Sequence, residues 1–168
     1  MKELPVRKNV RLKKHDYSNA GYYFVTVCVK DKHEMLGKIV VGDAVHSVPP
    51  HTRLSEYGIA VKRILQMGGD HRVQLDRYII MPNHIHMVLI VSHDEKRDAV
   101  DSVPYNKSLV STFVRSFKTM TTKRIGFSLW QRSFHDRIIR SEDEYQRIWQ
   151  YIDENPARWA EDDYFVKK

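Results

Sequence analysis

Residues Ile80 to Leu89 read IMPNHIHMVL, and this stretch decides the fold. His84 and His86 stand one residue apart in an apolar, β-branched run that continues to Val91. Side chains two apart on a strand point the same way, so both imidazoles leave one face of an otherwise buried strand. Pro82 and Asn83 mark a turn into it. Before that turn, Val73 to Ile80 reads as a second strong strand, so the two form an antiparallel pair. A buried imidazole needs hydrogen-bond partners. Two on one face are either satisfied core residues or half of a metal site, and the spacing leaves both open.

Working outward, Tyr22 to Lys30 (YYFVTVCVK) is rich in β-branched and aromatic residues and reads as a strand, with a short strand at Gly37 to Val41. GDAVHSVPPH (42–51), with two prolines and no helical period, is expected to be loop. Ser55 caps a helix over Glu56 to Met67, ended by Gly68-Gly69-Asp70. A second amphipathic helix is expected from Ser108 to about Arg124, burying Leu109, Val110, Phe113, Val114, Phe117 and Met120. The segment Trp130 to Arg140 holds a strand around FHDRIIR. The order β-β-α-β-β-α-β-α predicts an α+β domain, an antiparallel-rich sheet with helices packed on it.

The last helix carries the second pattern. Ser141-Glu-Asp-Glu144 is a capping box, and its acids suit the positive end of the helix dipole. Tyr145, Ile148, Trp149 and Ile152 recur at helical spacing and set the buried face. At about 100° per residue, Tyr151 lies roughly 110° from the centre of that face. Asn155 follows one turn later on the same flank, and Pro156 stops the helix.

With 168 residues the chain suits one domain over 1–168. A basic N-terminal arm (1–20) and an exposed loop (92–107) are expected at its margins. No apolar run approaches the roughly 20 residues needed to span a bilayer, and the N-terminus lacks a signal peptide's apolar core. The expectation is a cytoplasmic protein that does not bind membranes. Cys28 is the single cysteine, which excludes an intrachain disulfide and a multi-cysteine zinc site; it is expected to pack as a small apolar residue.

The formal net charge is +7, and it is segregated. From Lys107 to Arg140 eight bases meet one acid, Asp136, whereas from Glu142 to Asp163 eight acids meet two bases. Aromatics at 113, 117, 127, 130 and 134 are interleaved with the bases, the combination that phosphate neutralisation and base stacking require. The expected partner is nucleic acid. Arg115, Lys118, Lys123, Arg132, Arg137 and Arg140 are the expected contacts, and His135 on the last strand either meets phosphate or packs.

The chain resembles the single-tyrosine HUH transposases (IS200-like), and within them the REP-associated tyrosine transposases. The matching stretches are VTVCVKDK (25–32), LSEYG (54–58), RYIIMPNHIHMVLIV (77–91), SLVSTFVRSFKTMTTKRI (108–125), LWQRSFHDRIIRSEDEY (129–145) and YIDENPARWAEDDYF (151–165). They run in family order and cover most of the chain. The departures are Arg137, where many relatives have His before IleIleArg, and the stretch 92–107.

The resemblance implies a ferredoxin-like HUH core and a metal-dependent single-stranded DNA endonuclease and strand-transferase. In it His84 and His86 bind a divalent metal ion, Mg²⁺ or Mn²⁺, Tyr151 is the nucleophile, and Asn155 is a third ligand. The product is a 5′-phosphotyrosine, formed at hairpin or repeat DNA, by a monomer or a homodimer. Two rivals stand beside it. One is a domesticated, non-catalytic DNA- or RNA-binding regulator with the same fold. The other is a zinc hydrolase that adds an acidic third ligand to the two histidines.

Overall fold

The computed structural model describes residues 20–42, 48–68, 70–92 and 109–166. Apart from Ala20 and Ser92, the expected N-terminal arm and the loop at 92–107 lie outside them.

Four strands form one antiparallel sheet: β1 (Gly21–Cys28), β4 (Val73–Ile80), β5 (His84–Val91) and β6 (His135–Ile139), in the order β4-β5-β1-β6. Helix α1 (Glu56–Gln66) joins β1 to β4, and α2 (Leu109–Ile125) joins β5 to β6. This is the β-α-β-β-α-β arrangement of a ferredoxin-like core, with α3 (Glu142–Glu154) appended. The expected α+β class and ferredoxin-like core are those of the structure.

Alternation along the strands divides the sheet into two faces. Tyr23, Val25 and Val27 of β1 join Ile85, Met87, Leu89 and Val91 of β5 in a core with Val61, Ile64 and Leu65 of α1 and Val110, Val114 and Phe117 of α2. The other face carries Phe24, Val88 and Ile139, on which α3 lays Ile148 and Ile152. The histidines belong to this second face and to a strand hydrogen-bonded on both sides, with Cys28 opposite His84 and Thr26 opposite His86 across the β1–β5 ladder.

One strand has no counterpart among the elements expected from the sequence. β2 (Gly37–Val40) pairs with β3 (His51–Leu54) as a separate ribbon, so the stretch expected to be loop through His51 in fact opens a strand there. HTRL is four residues long, follows two prolines and has no apolar alternation, so no periodic signal announces it. Cys28 is 3% exposed, as a small core residue should be, and burial pushes its thiol up to about 11. No described helix is long and apolar enough to cross a membrane.

Candidate active site

The turn before β5 orients the first histidine. Asn83 is fully buried, and its Nδ2 donates to the carbonyls of Lys32 (3.1 Å) and Tyr164 (2.8 Å). Two carbonyl acceptors fix which end of the amide is nitrogen, so Asn83 Oδ1 faces His84 Nδ1 at 2.8 Å. His84 therefore donates from Nδ1, and the lone pair of Nε2 points into the site. Its Nε2 is 2.9 Å from His86 Nε2, while His86 Nδ1 lies 2.8 Å from Thr26 Oγ1. A hydroxyl both donates and accepts, so Thr26 serves either tautomer of His86. Burial holds both imidazoles neutral: His84 is pushed down to about 3 by burial and then by Lys32, and His86 lies well below its ordinary value through burial and its neighbour His84.

Helix α3 brings the phenol. Ser141 Oγ accepts from Glu144 N (3.2 Å), and Glu144 Oε2 reaches back to Arg140 N (2.9 Å), which fixes the first turn. Ile148 and Ile152 then anchor the helix on the sheet. Tyr151, on the flank, is 41% exposed, so its ring stays open to a large substrate. Its hydroxyl is 3.2 Å from His86 Nε2 and donates to Asp162 Oδ2 at 3.2 Å. Burial pushes this phenol up, and the charge of Asp162 adds to the effect.

One turn on, Asn155 is 2% exposed and donates from Nδ2 to Asp162 Oδ2 (3.0 Å), while its Oδ1 is buried with no hydrogen-bond partner. A buried carbonyl oxygen left unpaired costs about 1–3 kcal/mol, so the atom suits a cation. Two ligands about 2.1 Å from one ion and at a right angle stand about 3.0 Å apart, which matches the 2.9 Å between the imidazoles. His84, His86 and Asp162 have ligand atoms all within 4.8 Å of one another. The donor set thus fits a divalent ion.

The structure brings together the four residues singled out from sequence, His84, His86, Tyr151 and Asn155. Asp162 was missed. It follows Pro156 in irregular chain within the run Glu161-Asp162-Asp163, where no period marks which acid turns inward. Asp162 places an acidic group beside the two histidines, as the hydrolase rival requires.

The six expected DNA contacts are not brought to one place. Helix α2 packs on the face opposite the histidines, and its Arg115 and Lys123 are exposed in that layer. Lys118 turns inward, donating from Nζ to the carbonyls of Gln131 and Ser133 (both 2.8 Å), and burial lowers its pKa to about 8. Arg132 and Arg140 are exposed on either side of β6, as is His135 on it. Arg137 reaches the candidate site, pairing with Glu144 (3.5 Å) with its guanidinium 6.0 Å from the centre of the Phe24 ring. It lines a groove of about 680 Å³ beside Tyr151 and His86, with Phe24, Tyr164 and Arg147. Arg147 was also missed, because it sits among acids in the sequence.

The family described as Transposase IS200 like matches residues 17–155. An uncharacterized protein of Haemophilus influenzae is 28% identical over an alignment of 176 positions that spans 95% of this chain and 93% of its own length. Among solved structures, a REP-associated tyrosine transposase bound to a REP hairpin superposes with a TM-score of 0.58 at 17% identity, covering 89% of this chain and 74% of that one. At that identity the likeness is one of fold.

Proposed function

Because this chain belongs to the IS200-like transposase family, we propose that it cuts single-stranded DNA and transfers the strand through a covalent bond to Tyr151. The observation that carries this reading is the Tyr151 hydroxyl, 3.2 Å from His86 Nε2 although 65 residues separate them in sequence. His84, His86 and Asn155 would hold Mg²⁺ or Mn²⁺, which when bound withdraws charge from the non-bridging oxygens of the scissile phosphate.

Tyr151 attacks phosphorus in line. The bond from its oxygen to phosphorus forms, the bond from phosphorus to the 3′ oxygen breaks, the phenol proton leaves, and the 3′ oxygen gains one. One ester replaces another, so a second 3′-hydroxyl can reverse the step without ATP. In the groove, Arg137 and Arg147 neutralise neighbouring phosphates and Phe24 offers a ring to a base. The substrate is a single strand beside a hairpin or repeat, acted on in the cytoplasm.

A second reading is favoured by Asp162, since two histidines and a carboxylate can also activate water for hydrolysis. One experiment separates these readings and the non-catalytic rival. Wild type and Tyr151→Phe are incubated with labelled single-stranded oligonucleotides from repeats flanking the gene, with Mn²⁺ or Mg²⁺, and run on denaturing gels. An adduct that needs both Tyr151 and metal supports strand transfer. Cleavage by Tyr151→Phe without an adduct would support hydrolysis, and tight binding without cleavage a regulator.

A further inference from the structure

We propose that Asp162 is a direct, anionic ligand of the same metal centre, alongside His84 and His86; this rests on reading the histidine pair as a metal site. The carboxylate is placed for ligation and held there. Its Oδ1 accepts from Tyr164 N at 2.7 Å and its Oδ2 from Asn155 Nδ2 at 3.0 Å. Each oxygen of a carboxylate has two lone pairs: Oδ2 uses both, on Asn155 and on the Tyr151 hydroxyl at 3.2 Å, whereas Oδ1 keeps one for a cation.

The chain around Asp162 is tied to the histidines themselves. Asn83, which orients His84 through Oδ1, holds the carbonyl of Tyr164 through Nδ2 (2.8 Å). Lys32 Nζ donates to the carbonyl of Asp163 (3.1 Å), and the Tyr164 ring lies 4.6 Å from the His84 ring. One buried amide thus orients both a histidine and the segment that carries the acid. Such shared outer hydrogen bonds are how metal ligands are fixed.

The consequence is chemical. Two imidazoles and an amide leave a bound M²⁺ with its full charge, whereas a carboxylate lowers the net charge of the centre by one and adds a hard oxygen. Two nitrogens with a carboxylate suit Mn²⁺ better than Mg²⁺, which prefers an all-oxygen shell. The hydrogen bond from Tyr151 to Oδ2 then seats the nucleophile directly beside a ligand of the ion.

Mn²⁺ binding by the full chain, read from loss of the free-ion EPR signal, tests this without reference to cleavage. Asp162→Asn keeps the shape of the side chain and removes its charge, and it is expected to weaken Mn²⁺ binding at least 10-fold. His84→Ala marks the site and should lose as much or more. Asp162→Ala is the second variant should the amide re-form the hydrogen bonds and disturb the fold, with thermal melts confirming that each protein is folded. If both Asp162 variants bind Mn²⁺ as wild type does while His84→Ala fails, Asp162 merely clasps Tyr151 and Asn155, and the proposal falls although the histidine site stands. If wild type and His84→Ala bind alike, the histidines hold no ion, and the proposal falls together with the reading it rests on.

Discussion

At the scale of single residues, the two histidines couple the site to stability. His84 is fully buried and titrates near 3, against an ordinary value near 6.5, and His86 is displaced in the same direction. Between those values the unfolded chain binds protons that the native state refuses. Native stability is therefore full above pH 6.5 and is lost as pH falls toward 3. Each histidine contributes a slope of up to about 1.4 kcal/mol per pH unit. The melting temperature in chelator-treated buffer should fall from pH 7.5 to 5.5, a window in which ordinary carboxylates remain ionised, and fall less in His84→Gln. Equal slopes for the two proteins would mean that His84 is not among the titrating groups. The placement of these residues was legible because strand and helix periods are strict: two apart on β5 is one face, and four apart on α3 is one flank. Asp162 was not legible, because its direction is set by bonds to Tyr151, Asn155 and Tyr164 rather than by any period.

At the scale of elements, α1 shows how a motif residue can be needed for space rather than for conformation. Gly58 lies in the first turn of α1, where a Cβ would stand 2.0 Å from the carbonyl oxygen of Leu36. That carbonyl is itself pinned by the backbone N–H of Ser55 at 2.9 Å, and the Ser55 hydroxyl caps Gly58 N at 3.1 Å. Neither side can yield. Gly58→Ala should destabilise by about 2–3 kcal/mol, an overpacking cost that exceeds the helix propensity gained. The urea midpoint should drop with little change in slope. Ile59→Ala, next along the same helix and 44% exposed, should shift stability by no more than about 0.5 kcal/mol. A neutral Gly58→Ala would show that α1 sits further from Leu36 than described. β4 and β5, with a strong period, were readable to the residue, and α3 at its Ser141 cap. β3 was not, because a four-residue ribbon strand is defined by its partner β2 rather than by its own side chains.

For the whole molecule, folding rearranges the charge that the sequence displays as one basic run. The described bases of that run separate into those of α2, behind the sheet, Arg132 and Arg140 flanking β6, and Arg137 in front. Arg147, which a linear count cancels against its acidic neighbours, joins Arg137 beside Tyr151. On the proposed reading, a DNA strand lying in this groove at Tyr151 runs beside these two arginines and need not touch α2. Binding of a short unstructured oligonucleotide, followed by fluorescence anisotropy from low to moderate salt, distinguishes the two faces. Arg147→Gln should weaken binding several-fold and reduce the slope of log K against log salt by about 0.7, the share of one phosphate on a single strand. Arg137→Gln should act the same way, less cleanly because Arg137 also pairs with Glu144. Arg115→Gln and Lys123→Gln should leave this strand's affinity unchanged. The opposite pattern, loss at α2 and none at Arg147, would put the strand on the helical layer, and Tyr151 would then lie on the wrong side of the sheet to cut it.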